Sequence, residues 1–159
     1  MLTTRRRSTK THHGFTIVEL LIVIVVIAIL ATITIVSYNG IRNRANVSKA
    51  NADLLQLEKA IMVARLQTGE TLMQITGSNC SYCYGQATTN TSIDRIAQAS
   101  NTVLDGIKAG DPWGNMYHID ENEGESSTNP CVHDVLNVTP SQTGVSQISI
   151  PFYSAQCGG

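Results

Sequence analysis

Hydrophobic side chains follow three different rhythms along this chain. From Phe15 to Val36 they form one continuous apolar run of twenty-two residues, broken by a single charge at Glu19. As a helix this run is about 33 Å long, enough to cross a hydrocarbon core of about 30 Å. Ser37-Tyr38-Asn39-Gly40 is a polar interruption. Gly40 costs a helix about 1 kcal/mol relative to Ala, but no proline follows, so the helix is expected to continue. From Ile41 to Leu66 the rhythm changes to steps of three and four: Leu54, Leu57, Ile61 and Ala64 form a stripe that Leu55, Ala60 and Val63 widen. Asp53, Glu58, Lys59 and Arg65 fall largely off that stripe, and Gly69 is placed to stop the helix.

Beyond Gly69 the chain is rich in Ser, Thr, Asn and Gly. Residues 76–91 read as loop. Residues 92–108 carry Ile93, Ile96, Ala97, Leu104 and Ile107 at helical spacing, with Thr91 and Asp94 as a capping pair and Gly106 and Gly110 as terminators. The third rhythm is alternation: 117–120, 132–138 and 147–153 read as strands of a half-buried antiparallel sheet. Val132, Leu136 and Val138 alternate with polar residues in the second and Ile148, Ile150 and Phe152 in the third, with Pro151 marking an edge or a bulge. The fold class is therefore α+β. A long N-terminal helix, membrane-spanning and then amphipathic, packs on a small antiparallel sheet. Four stretches follow: a basic leader over 1–14, the apolar helix over 15–36, its amphipathic continuation over 37–66, and a globular head over 67–159.

Charge sharpens this division. Arg5, Arg6, Arg7 and Lys10 stand in the leader, which has no Asp or Glu; the remainder holds seven basic and twelve acidic side chains, near −5. An acidic body argues against a general nucleic-acid surface, which needs clustered Lys and Arg. The leader charges predict a cytoplasmic leader and a head on the other side of the membrane, with Arg42, Arg44 and Lys49 as a counterweight on the far flank. Membrane lipid is then the first partner of the apolar run. A secretory signal has its small-residue cleavage site after the apolar region. Here the small residue, Gly14, precedes it, so cleavage would leave the helix attached.

The octet Gly14-Phe15-Thr16-Ile17-Val18-Glu19-Leu20-Leu21 combines a cleavage glycine, a following phenylalanine and an acid at the fifth place of an apolar helix. It resembles the class III signal peptide of type IV pilins and type II secretion pseudopilins. The resemblance implies the pilin fold, cleavage between Gly14 and Phe15 by prepilin peptidase, and N-methylation of Phe15. It also implies assembly of the mature chains into a homopolymer through an inner-membrane platform. A glycine before the scissile bond lets a protease approach the backbone. An ionised acid inside a membrane helix costs about 2.5–3.5 kcal/mol on insertion scales and normally has a partner. The resemblance supplies one for Glu19: the free amino group of Phe15 on a neighbouring subunit. Proton or ion transport by a membrane glutamate is the rival role, disfavoured by the single helix and by the lack of a second polar group on its face before Thr32.

Asp111-Pro112-Trp113-Gly114-Asn115-Met116-Tyr117 resembles a segment of the major pseudopilins and some pilins that leads into the sheet. Physically it is a turn, with Pro112 fixing φ, Gly114 and Asn115 tolerating positive φ, and Trp113 supplying packing surface. The major pseudopilins bind calcium on a later acidic loop. Asp120, Glu121, Glu123 and Glu125 are the candidates for such a site here, but the family's loop pattern is absent and a solvated acidic loop is the expectation. No other cofactor is implied.

Four cysteines on the exported side suggest disulfides, and three connectivities are open. Pilins commonly have a C-terminal region bounded by a disulfide, which favours Cys131–Cys157 with Cys80–Cys83 as a local bridge. A zinc site on the four thiols, with His118 or His133 replacing one, lacks a second CxxC. A thioredoxin-like site lacks its βαβ setting. No nucleophile elbow, phosphate loop, HExxH or dinucleotide fingerprint occurs, so the sequence asks for no enzyme. It reads as a filament subunit of a type IV pilus, serving motility, adhesion, DNA uptake or secretion, membrane-anchored and then extracellular. The alternatives are the major pseudopilin of a periplasmic pseudopilus and a singly displayed, membrane-anchored binding module.

Overall fold

The computed structural model describes residues 14–153 and Cys157. The basic leader up to His13 lies outside them. The chain divides into two compact units, one ending at Ile41 and the other starting at Arg42. Helix α1 spans Ile17–Thr68.

In the first unit, every described apolar side chain of α1 up to Ile33 is exposed, from Ile17 at 79% to Val26 at 48%. A helix that is apolar all round has no polar face to give to water and needs lipid or other helices around it. Thr32 removes its own polarity by donating its hydroxyl to the Ile29 carbonyl at 2.7 Å. By length and composition this helix can cross a membrane.

The second unit is a small α+β head. Its core joins one stripe of α1 (Ala50, Leu54, Leu57, Ala60, Ile61 and Ala64) to Leu72, Ile93, Ile96, Tyr117, Ile119, Leu136, Val138 and Ile150. Strands β1 (Tyr117–Asp120), β2 (Val135–Val138) and β3 (Ile148–Ser149) form an antiparallel sheet in the order β1-β2-β3. Tyr117 stands opposite Val138, and Ile119 opposite Leu136. Those four side chains point into the core, while His118 and Asn137 pair on the outer face at 2.8 Å. Tyr117 also reaches across the core to donate its hydroxyl to Asp53 of α1 at 2.5 Å. Burial, then that carboxylate, pushes the phenol above its usual range.

Several expected elements change in the structure. The stripe on α1 is narrower, because Leu55 and Val63 are exposed at 48% and 37%. The 76–91 loop contains helical structure: α2 (Leu72–Thr76) reaches its start, a 3-10 turn occupies Tyr82–Tyr84, and α3 spans Gln86–Ser100. Helix α3 thus begins six residues earlier than its apolar spacing indicates. It starts at Gly85 rather than at a Thr91–Asp94 cap, and it ends at Asn101 (φ 51°) rather than at Gly106. Its first turns are held by buried Thr89 and Ser92, which hydrophobic spacing does not register. Asp105–Lys108 is a separate short helix, α4. Strand β2 begins at Val135, not Val132, and only Ile148 and Ser149 of the expected third strand pair with it. Gly69 (φ 75°) ends α1 as expected, its N–H bonding the Arg65 carbonyl at 2.9 Å.

Candidate functional site

The Gly14–Phe15 junction lies just outside the helix. Gly14, Phe15 and Thr16 are non-helical and exposed, with Phe15 81% exposed. Among the described residues, nothing beyond the chain neighbours stands within 4 Å of where a Cβ on Gly14 would sit.

Glu19 has a local partner that the sequence reading overlooked. Its Oε2 accepts from the Thr16 backbone N–H at 2.8 Å and from the Thr16 hydroxyl at 2.9 Å. In return the Thr16 Oγ accepts from the Glu19 N–H at 3.2 Å. Thr16-x-x-Glu19 is therefore a capping box, which satisfies orphan donors at the start of α1 reciprocally. The signal was legible, since a threonine followed three residues later by glutamate is the signature of such a box. Glu19 thus holds its carboxylate at the N-terminal end of the helix, next to Phe15.

In the head, the four acidic calcium candidates take separate paths. Asp120 ends β1, and Glu125 is exposed and accepts from the Asn79 amide at 2.9 Å. Glu121 and Glu123 are buried, at 0% and 1% exposure, which corrects the expectation of a solvated loop. They are inside because buried donors meet them. Glu121 accepts the Ser81 N–H at 2.7 Å and the Ser81 hydroxyl, and that hydroxyl also meets Ser92 Oγ at 2.5 Å. Glu123 takes the Tyr153 N–H on both oxygens at 2.9 Å and lies 3.4 Å from Arg65. Among the described residues, no three His, Cys, Asp or Glu side chains are grouped to hold a metal.

Arg65 was expected largely off the buried stripe, yet it is only 2% exposed. Its spacing of four from Ile61 was the available signal. The guanidinium pairs with Asp134 and donates to the Pro151 carbonyl at 2.7 Å. Asp134 in turn accepts the Glu123 N–H at 2.8 Å. Burial pushes the Asp134 carboxyl up, against the pull of the Glu123 amide and the guanidinium.

Burial also pushes Glu121 up to about 7, against the Ser81 and Thr76 hydrogen bonds that favour its charged form. Between the ordinary carboxyl range and about pH 7 the folded head therefore holds a proton that the unfolded chain has lost. Its stability should fall as pH rises through that window, by up to about 3 kcal/mol from Glu121 alone. The chain's single tryptophan, Trp113, lies in the head and reports its unfolding. Guanidinium midpoints from Trp113 fluorescence should be higher at pH 5 than at pH 8, and Glu121→Gln should flatten the difference. Equal wild-type midpoints at the two pH values would refute this assignment.

The turn before β1 has its own lock. Asp111 Oδ1 accepts the Trp113 and Asn115 N–H groups at 2.9 and 2.8 Å. Gly114 takes positive φ (88°), whereas Asn115 does not. Trp113 packs on the core as expected. The disulfides are Cys80–Cys83 and Cys131–Cys157.

Comparison with known proteins bears on the same residues. The profile of the prokaryotic N-terminal methylation motif matches residues 9–35. Type II secretion system core protein G of Escherichia coli K12 is 28% identical over 84% of this chain and 86% of its own length. The type IV major fimbrial protein FimA of Dichelobacter nodosus is 34% identical, and a fimbrial protein of Pseudomonas aeruginosa 32%. Those alignments cover 62% and 60% of this chain, and 65% and 62% of the relatives, less than two thirds of each fimbrial protein.

The chain is similar to type IV pilins and type II secretion pseudopilins, most specifically in its N-terminal methylation motif.

No solved structure matched it. The matched motif covers the Gly14–Phe15 junction and most of the exposed apolar stretch of α1. The relatives bear both secretion and fimbrial names.

Proposed function

We propose that the chain is the prepilin of a type IV pilus, cut between Gly14 and Phe15, methylated on the new amino group and polymerised through α1. The observation that carries this is an apolar helix exposed over its described side chains up to Ile33, directly behind the exposed Gly14–Phe15 junction. Before assembly, lipid covers that helix. In the filament, other copies of it do. Lipid tails are as apolar as the helix, so association depends on packing and polar pairing rather than on the hydrophobic effect. Ala28 and Ala31 allow close approach. Glu19 supplies the polar pair: the amino group of Phe15 has a pKa of about 8 and is largely cationic at neutral pH. Methylation leaves that charge in place. The inner-membrane platform and prepilin peptidase are the partners this route needs, and the subunit itself performs no catalysis.

A periplasmic pseudopilus is the second reading. It is favoured by the 86% coverage of secretion protein G and by the Asp111–Tyr117 turn. Electron microscopy of sheared surface fibres, with mass spectrometry of their main subunit, separates the two. Fibres of this chain that vanish on deletion of its gene support the pilus. Secretion lost without any native surface fibre supports the pseudopilus.

A further inference from the structure

The two disulfides do different work. Cys131–Cys157 spans 26 positions and ties the C-terminal segment to the head, whereas Cys80 and Cys83 are only three apart. In the chain-entropy picture, the constraint a disulfide adds grows with the loop it closes, so the short bridge contributes least. Its loop is also held without it. Ser81, between the two half-cystines, is fully buried. It donates its N–H to Glu121 at 2.7 Å and meets Ser92 Oγ at 2.5 Å, and its carbonyl accepts from Thr89 at 3.1 Å. The turn closes through Cys83 N–H to the Cys80 carbonyl at 3.1 Å.

The two sulfurs are not equivalent. Cys83 is exposed and Cys80 half-buried. The Cys83 N–H points at Cys80 Sγ at 3.2 Å, a contact that favours negative charge on that sulfur. Exchange runs by thiolate attack on one sulfur while the other leaves, and it is faster the better the leaving thiolate is stabilised. Here the reachable sulfur is Cys83 and the stabilised leaving group is Cys80.

We propose that Cys80–Cys83 is a thiol–disulfide exchange site, open to a small thiol or a dithiol reductant, while Cys131–Cys157 is the structural bond. A reductant thiolate attacks Cys83 Sγ; its new S–S bond forms as the Cys80–Cys83 bond breaks, and the electron pair leaves on Cys80 Sγ. A second reductant thiolate then resolves the mixed disulfide, and Cys83 leaves as thiolate. The chain gains two electrons and, on protonation, two protons, and the reductant becomes a disulfide. The head stays folded throughout, because Ser81 and its partners keep the loop in place.

The test is reduction of the oxidised full chain in mild detergent with reduced glutathione and then dithiothreitol. Acid quenching, alkylation and peptide mass spectrometry follow, with Trp113 fluorescence read in parallel. Cys80 and Cys83 should be labelled at reductant concentrations about tenfold or more below those needed for Cys131 and Cys157. The glutathione adduct should sit on Cys83, and the fluorescence of the selectively reduced chain should not change. The double variant Cys80→Ser/Cys83→Ser should keep the same fluorescence, and its unfolding midpoint should fall less than that of Cys131→Ser/Cys157→Ser. Reduction of both bonds together, an adduct on Cys80, or loss of the folded signal in either experiment would overturn the proposal.

Discussion

Arg65→Met is expected to destabilise the head by about 3–5 kcal/mol, the usual cost of removing one partner from a buried charge cluster. The wild-type guanidinium faces Asp134 and Glu123, which are 1% exposed each, and also holds the Pro151 carbonyl. Without it, two acids remain in the core facing the Asn122, Glu123 and Tyr153 backbone N–H groups. Such a loss is a large fraction of the stability of an ordinary domain. Adding Asp134→Asn and Glu123→Gln to Arg65→Met should recover most of it, because the amides keep oxygen acceptors for those N–H groups and lose the charge. Guanidinium unfolding followed by Trp113 at pH 7 measures both. A single variant within about 1 kcal/mol of wild type would show that the cluster is not the latch between α1 and the end of the chain.

Glu19→Ala should have the opposite profile, with a normal head and few or no filaments. The substitution removes the one intramembrane charge, so insertion becomes easier while each incoming Phe15 amino group meets no carboxylate. An unpaired cation in an apolar bundle costs several kcal/mol before water or headgroups relieve it. The Thr16–Glu19 capping box complicates this variant, because Ala also removes a cap worth about 1 kcal/mol. Glu19→Gln separates the two effects: glutamine serves the same box and carries no charge. If charge pairing governs assembly, Gln should fail nearly as badly as Ala, and processed, disulfide-bonded monomer should accumulate in the membrane. Gln at wild-type filament levels, with Ala failing, would assign Glu19 to capping instead. Quantifying sheared fibres against membrane-retained subunit by immunoblot distinguishes these outcomes.

What was legible in the sequence was whatever hydrophobic rhythm encodes. The apolar run and the stripe through Leu54, Leu57, Ile61 and Ala64 locate α1, and alternation locates β2 and β3 but sets their bounds too wide. The errors share one cause, which is polarity placed inside. Thr89, Ser92 and Ser100 line the buried side of α3, so its first turns looked like loop. The capping box of α2, Thr71 with Gln74, was readable and overlooked. Arg65, Glu121 and Glu123 are buried because partners far along the chain meet them, Asp134 for the arginine and Ser81 and Tyr153 for the acids. No local window contains those partners, and a charge without a visible partner is assigned to solvent by default. In the apolar segment the lone acid Glu19 stands out, whereas its local partner Thr16 is three residues away and polar in a way that apolar patterning does not register.

The central claim is that the leader is removed while the apolar helix stays on a subunit that polymerises. Intact mass spectrometry of the envelope-derived subunit, purified without reduction, tests it most directly. The account predicts a chain of residues 15–159 carrying one added methyl group on Phe15 and lacking the hydrogens lost to the two disulfides. A chain still beginning at Met1, or one beginning beyond Val36 with the helix lost, would contradict it.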